Sequence, residues 1–142
     1  MGAISLTHIA LHVPDVDKCA DFYVDFCGMK ETLRHGTQEK PVLWLASPGR
    51  EGEFVIVLIG GGPGDSPLAA GYSHLGFALD SALAVDEMAA KAAAEGCLLW
   101  LPREDPWPAS YYCGVVDPAG NQVEFSYGQP LGAGSEGPTT LR

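Results

Sequence analysis

The chain has 142 residues, 46% of them hydrophobic and 18% charged, figures ordinary for one folded domain or for two small modules. Eighteen acidic residues against eight basic ones give a formal net charge of −10, so the surface repels phosphate backbones and anionic lipids, and neither nucleic acid nor a membrane is an expected partner. No charged-then-apolar leader opens the chain and no apolar run is long enough to span a bilayer, which makes a cytoplasmic location the expectation.

Ile4 to Val13 alternates as a strand does, with Ile9, Leu11 and Val13 on one side and His8, Ala10 and His12 on the other. Pro14 ends it, and Asp15 or Asp17 can cap a helix running to about Phe26, with Gly28 at its exit. Val16, Ala20, Tyr23 and Cys27 give that helix one apolar stripe. Lys30 to Leu33, Val42 to Ala46 and Glu53 to Ile59 read as three strands, separated by turns at Gly36 and at Ser47-Pro48-Gly49. His35 sits near a turn and is expected to be exposed. The first half is therefore β-α-β-β-β, over residues 1–60.

A Gly/Pro-rich linker, 61–72, separates the halves; no Gly-Lys-Ser/Thr follows its glycines, so it is a hinge and not a phosphate cradle. The second half, 73–128, repeats the order. Ser73 to Leu79 is a strand, Asp80 or Ser81 caps an alanine-rich helix ending at Gly96, and strands follow near Cys97–Leu101, Tyr111–Val116 and Gln122–Tyr127. Asp117-Pro118-Ala119-Gly120-Asn121 has the chemistry of a hairpin turn between the last two. Residues 129–142, rich in Gly, Pro, Ser and Thr, read as a loose tail. The four cysteines, Cys19, Cys27, Cys97 and Cys113, form no C-x-x-C pair and are expected to be reduced and mostly buried.

The two halves begin alike, with a histidine opening a strand: His8 in HIALHV and His74 in HLGFAL. Small residues stand beside each histidine on its face, as in a cavity wall. Glu124 in the last strand has the parity to share that face. A repeated strand histidine with a carboxylate nearby suggests a metal site built from two half-sites; packed strand histidines without metal are the plainer alternative.

These motifs, His8 opening HIALHVPD, the segment DFYVDFCGMK, His74 in YSHLGFAL and DPAGNQVEF ending at Glu124, resemble the vicinal oxygen chelate superfamily: glyoxalase I, extradiol dioxygenases, fosfomycin-resistance and bleomycin-binding proteins. The resemblance covers residues 4–128. It implies an α+β fold of two βαβββ modules whose mixed sheets form a partly open barrel around a divalent ion (Fe2+, Mn2+, Zn2+ or Ni2+), and often a homodimer. It places metal ligands at His8, His74 and Glu124. The fourth family position falls on Val57, where no acid stands. Glu53 shares its parity but lies four residues back, about 13 Å along a strand.

Two histidines and one carboxylate form the facial triad of non-haem iron oxygenases, with open positions for substrate. The expected function is therefore a metal-dependent, dioxygenase-like enzyme acting on a small oxygenated organic molecule. A glyoxalase-type lyase or isomerase is one alternative, although Val57 deprives it of its usual base. A metal-independent antibiotic- or small-molecule-binding resistance protein is another. The tyrosine of the extradiol group corresponds here to Gly114. His12 and Tyr111 are the candidate acid–base groups. Arg103, Trp107 and Tyr112 are the candidate substrate contacts, with Arg103 read in the loop LPREDPWP. Trp44, Trp100 and Trp107 form either a pocket wall or core.

Overall fold

A computed structural model describes residues 3–63 and 71–131. Part of the expected linker and most of the expected tail lie outside them. The chain divides into two compact units, Met1–Asp65 and Ser66–Arg142. Each is α+β, a four-stranded mixed sheet with one helix, and the eight strands form two separate sheets.

In the first unit, β1 (His8–Val13), α1 (Val16–Cys27), β2 (Lys30–Gly36), β3 (Pro41–Ala46) and β4 (Val55–Gly60) follow in order. The sheet order is β1-β4-β3-β2, with β1 and β4 parallel and the other pairs antiparallel. Asp15 caps α1 by accepting from the Lys18 amide at 3.0 Å, which satisfies one of the orphan donors of the first turn. Gly28 stops the helix in the left-handed region, at φ 63°, where a side chain would be strained. α1 packs on β3 and β4. Leu43, Leu45 and Leu58 are fully buried, as are Val13 and Tyr23. Each such aliphatic side chain contributes about 1.5–3 kcal/mol by leaving water.

The second unit repeats the plan: β5 (His74–Ala78), α2 (Ala82–Ala94), β6 (Leu98–Asp105), β7 (Ser110–Val116) and β8 (Gln122–Tyr127), in sheet order β5-β8-β7-β6 with β5 and β8 parallel. Ser81 caps α2 through the Ala84 amide at 3.0 Å. Val85, Ala89 and Ala92 are buried on the helix, and Cys113, Val115, Val123 and Phe125 on the strands. All four cysteines are free thiols, Cys19 and Cys113 buried, Cys27 and Cys97 half-buried. No helix among the described residues is long and apolar enough to cross a membrane.

Several boundaries differ from the sequence reading, β2 running on to Gly36 among them, and three more bear on the candidate residues. β1 starts at His8, because Ile4 lies 95% exposed with no sheet partner to hold it as strand. β4 starts at Val55, and Glu53 belongs to the preceding turn, where its carboxylate holds Arg50 at 2.7 Å. β6 runs on through Pro102 to Asp105, so Arg103 is a strand residue and not part of a loop. Register shifts around Trp100 let an edge strand carry that proline.

The hairpin between β7 and β8 is held by one side chain. The Asp117 carboxylate, 4% exposed, accepts from the Ala119 and Asn121 amides at 2.8 Å and from Asn121 Nδ2 at 2.9 Å. Asp117→Ala would orphan these donors and is expected to cost about 2–3 kcal/mol, read as a lower urea midpoint with unchanged slope. Asp117→Asn should recover part of the loss.

Candidate metal centre and adjoining cavity

One face of the second sheet, the face away from α2, carries four of the eight candidate residues, His74, Arg103, Tyr112 and Glu124. Cross-strand register sets them in rows. The first joins His74, Gln122 and Val116; the second Gly76, Glu124, Gly114 and Trp100; the third Ala78, Ser126, Tyr112 and Arg103. Glu124 thus stands between two glycines, and its carboxylate comes within 3.8 Å of His74 Nε2. The His74 ring is oriented by a 2.6 Å contact from Nδ1 to the Tyr72 carbonyl oxygen. A carbonyl only accepts, so Nδ1 carries a proton and Nε2 is the nitrogen turned toward Glu124. Gln129 Nε2 donates to Glu124 Oε2 at 3.3 Å and to the Ala109 carbonyl at 2.9 Å. No sequence signal marks Gln129; it stands in what composition reads as a tail.

Trp100 closes one side of this pair. Its ring lies directly over Gly114: a Cβ there would come 2.1 Å from Trp100 Cε3. The ring meets His74 edge-on, centroids 6.0 Å apart at 88°. On the other side, Gly76 leaves space, and a Cβ there would meet nothing closer than Glu124 Oε2 at 3.8 Å.

The matching face of the first sheet is mainly apolar, with His8 and His12 along its β1 edge. His8 pairs in register with Val55, and Ala10 and Trp44 both pair with Val57. An open cavity of about 490 Å³ lies on this face, lined by His8, His35, Trp44, Val57 and their neighbours. Val57 is a buried part of the wall, packed among Val55, Ala46 and Ile59. His8 Nδ1 lies 3.1 Å from Thr7 Oγ1. His35 is exposed, as the sequence reading has it, but it sits on β2 and meets the Trp44 ring at 6.3 Å. Among the described residues no three His, Cys, Asp or Glu side chains gather into a ready metal cage. His74 and Glu124 supply two donors with the right chemistry, an imidazole nitrogen and a carboxylate, and in that respect fit a divalent ion.

Residues 5–125 match the family described as Glyoxalase/Bleomycin resistance protein/Dioxygenase superfamily. The chain belongs to this superfamily. A curated relative, Uncharacterized protein PA2024 of Pseudomonas aeruginosa, is 54% identical over 132 residues, covering 93% of this chain and 94% of that one. The fosfomycin resistance protein FosX of Listeria monocytogenes superposes with a TM-score of 0.70 at 19% identity, over 90% of this chain and 96% of that one; it has also been solved with Mn(II) and sulfate. TnmS3, an antibiotic-binding protein of Streptomyces sp. CB03234, superposes with a TM-score of 0.67 at 23% identity, over 89% of this chain and 98% of that one. At such identities the likeness is one of fold.

Within this superfamily member the other candidate residues fall in different places. Tyr112 shares the face of Glu124, and its hydroxyl donates to Asp105, which also holds Arg103 at 2.7 Å. The Tyr112 hydrogen bond and then Arg103 keep the Asp105 carboxyl below the usual range, and the same bond raises the Tyr112 phenol. Arg103 is therefore already paired, with Tyr112 under its guanidinium at 6.0 Å. Tyr111 has the opposite parity. Its hydroxyl donates to Asp86 on α2, which raises the phenol and commits its proton on the helix side of the sheet. Trp107 is 56% exposed beyond the end of β6. His12 shares the parity of His8 and is exposed, with Gly62 packed so closely that a Cβ there would collide with it.

Proposed function

We propose that the chain is a divalent-metal-dependent enzyme acting on a small oxygenated organic molecule, dioxygenase-like in its ligand set, with His8, His74 and Glu124 as the ligands. The observation that carries this is the His74–Glu124 pair: two donors 3.8 Å apart, with the far nitrogen of the imidazole pinned to a backbone carbonyl. That is how metal-binding histidines are held in the correct tautomer. The ion, when bound, would supply Lewis-acid polarisation of chelated oxygens, its charge only partly cancelled by a single carboxylate.

The rest is the work of the chain's own groups. Tyr72 fixes the His74 ring, and Gln129 steadies the Glu124 carboxylate. Trp100 excludes water from one flank of His74. The Tyr112 hydroxyl gives its one proton to Asp105, which leaves its oxygen lone pairs on the same face free to accept a hydrogen bond from a substrate hydroxyl. A glyoxalase-type lyase or isomerase is less well served, since the Val57 side chain cannot take a proton where that reaction needs a base. A homodimer in the cytoplasm is part of the proposal, and it rests on the family resemblance alone.

The apolar wall around Val57 favours a second reading, a metal-independent binding protein for small organic molecules. Metal separates the two. Protein stripped with EDTA and titrated with Fe2+, Mn2+, Zn2+ or Ni2+ is expected to gain about 2.7 kcal/mol from the cognate ion at a hundredfold excess over its Kd, roughly 5–10 °C in melting temperature. Absence of stabilisation by all four ions, with no metal in protein grown on them, would sink the enzyme reading and favour the binding protein.

A further inference from the structure

Most of the lining of the first unit's cavity has no part in holding a metal. Val42, Val55, Val57 and Ile59 form an apolar wall, with the Trp44 ring beside it. His35 stands edge-on to that ring at 74°. Among the described residues, no lysine or arginine lines the cavity; its carboxylates are Glu51 and Glu53. Both are already matched, Glu51 by Lys30 at 2.9 Å and Glu53 by Arg50 at 2.7 Å. Lys30 holds the Glu51 carboxyl down to about 2, so the pair stays ionised through the neutral range.

This distribution selects by charge and by shape. An anion would find no unpaired lysine or arginine in the described lining and would approach a chain of net charge −10. A cation would find both carboxylates occupied. A neutral ligand loses nothing to either. The size, about 490 Å³, lies within the range of small-molecule sites. An exposed indole face with an aromatic edge beside it favours a flat π-system over an aliphatic one. We infer that this cavity takes an uncharged, planar aromatic molecule of two or three fused rings, or the aromatic body of a larger substrate, seated on Trp44. The inference rests on the metal-enzyme reading for its catalytic sense, because His8 lines the same cavity and an oxygenated ring would bring its oxygens to a proposed ligand.

Its test needs no metal. EDTA-treated full-length protein is titrated by calorimetry with 2-naphthol, 2-naphthalenesulfonate and decahydro-2-naphthol. Binding of 2-naphthol is expected, with the sulfonate and the saturated alcohol each weaker by roughly tenfold or more. Trp44→Ala should weaken 2-naphthol by a similar factor and Trp44→Phe by less. Ala10→Phe, at an exposed lining position that tolerates bulk, should block the cavity even if Trp44→Ala does not fold. Equal affinity for the three ligands, or full binding by Ala10→Phe, would overturn the inference. Naphthol binding without any metal response would keep it and remove the metal reading; metal stabilisation without naphthol binding would do the reverse.

Discussion

Glu124→Ala is expected to abolish metal-dependent stabilisation while the protein still folds. The side chain is 12% exposed and flanked by Gly76 and Gly114, so truncation leaves a small polar gap and no clash. What it removes is the carboxylate opposite His74 Nε2 and the only anionic donor of the proposed triad. Loss of groups that merely orient a ligand costs 10- to 100-fold in metal affinity, so loss of the ligand itself should cost at least about 100-fold. Gln129→Ala, which frees one carboxylate oxygen from its amide partner, should fall within the smaller range. Calorimetric titration of the cognate ion into both variants gives the two numbers. An unaltered affinity in Glu124→Ala would show that the ion is held elsewhere.

Gly114→Ala tests the other flank. The added methyl would lie 2.1 Å from Trp100 Cε3 and 2.3 Å from Cδ2, inside any permitted contact. An indole ring on a paired strand cannot yield by a few tenths of an ångström. Either it swings off the sheet or the β6–β7 pairing opens, and both break the edge contact to His74. The expected cost is about 2–3 kcal/mol, with a red-shifted tryptophan emission as the ring meets water. Trp100→Ala in the same chain should remove the collision, so the double variant is expected to be more stable than the sum of the singles implies. Strict additivity would mean that the two residues do not touch.

Much of the fold is legible in the residues because alternation and caps act locally. Asp15, Gly28, Ser81 and the Asp117 turn stand where their side-chain chemistry requires, and the face shared by His8 and Ala10, or by His74 and Gly76, follows from parity alone. Parity also places Glu124 on the face of His74. Distant pairing is what local pattern cannot carry. Tyr111 and Tyr112 are neighbours with equal polarity, and only the register of β7 against β8 and the position of α2 assigns one to Asp86 and the other to Asp105. Trp100 over Gly114 is a cross-strand fact of the same kind: read along the chain, that glycine is simply a missing tyrosine. Gln129 and His35 are invisible for a related reason, since each gains its neighbour from another strand or loop.

In both sheets the strand made last lies between the strand made first and the one made just before it. Val55 of β4 is the register partner of His8, and Gln122 of β8 that of His74. The opening strand of each unit therefore waits, unpaired, while the ribosome adds its helix and three further strands, and only the final insertion satisfies its backbone. Because Glu124 rides on that late strand, completion of the second sheet and arrival of the carboxylate beside His74 are one event. A nascent chain stopped short of β8 would expose a raw strand edge and lack the His74–Glu124 pair, so the proposed donors come together only when the second sheet closes.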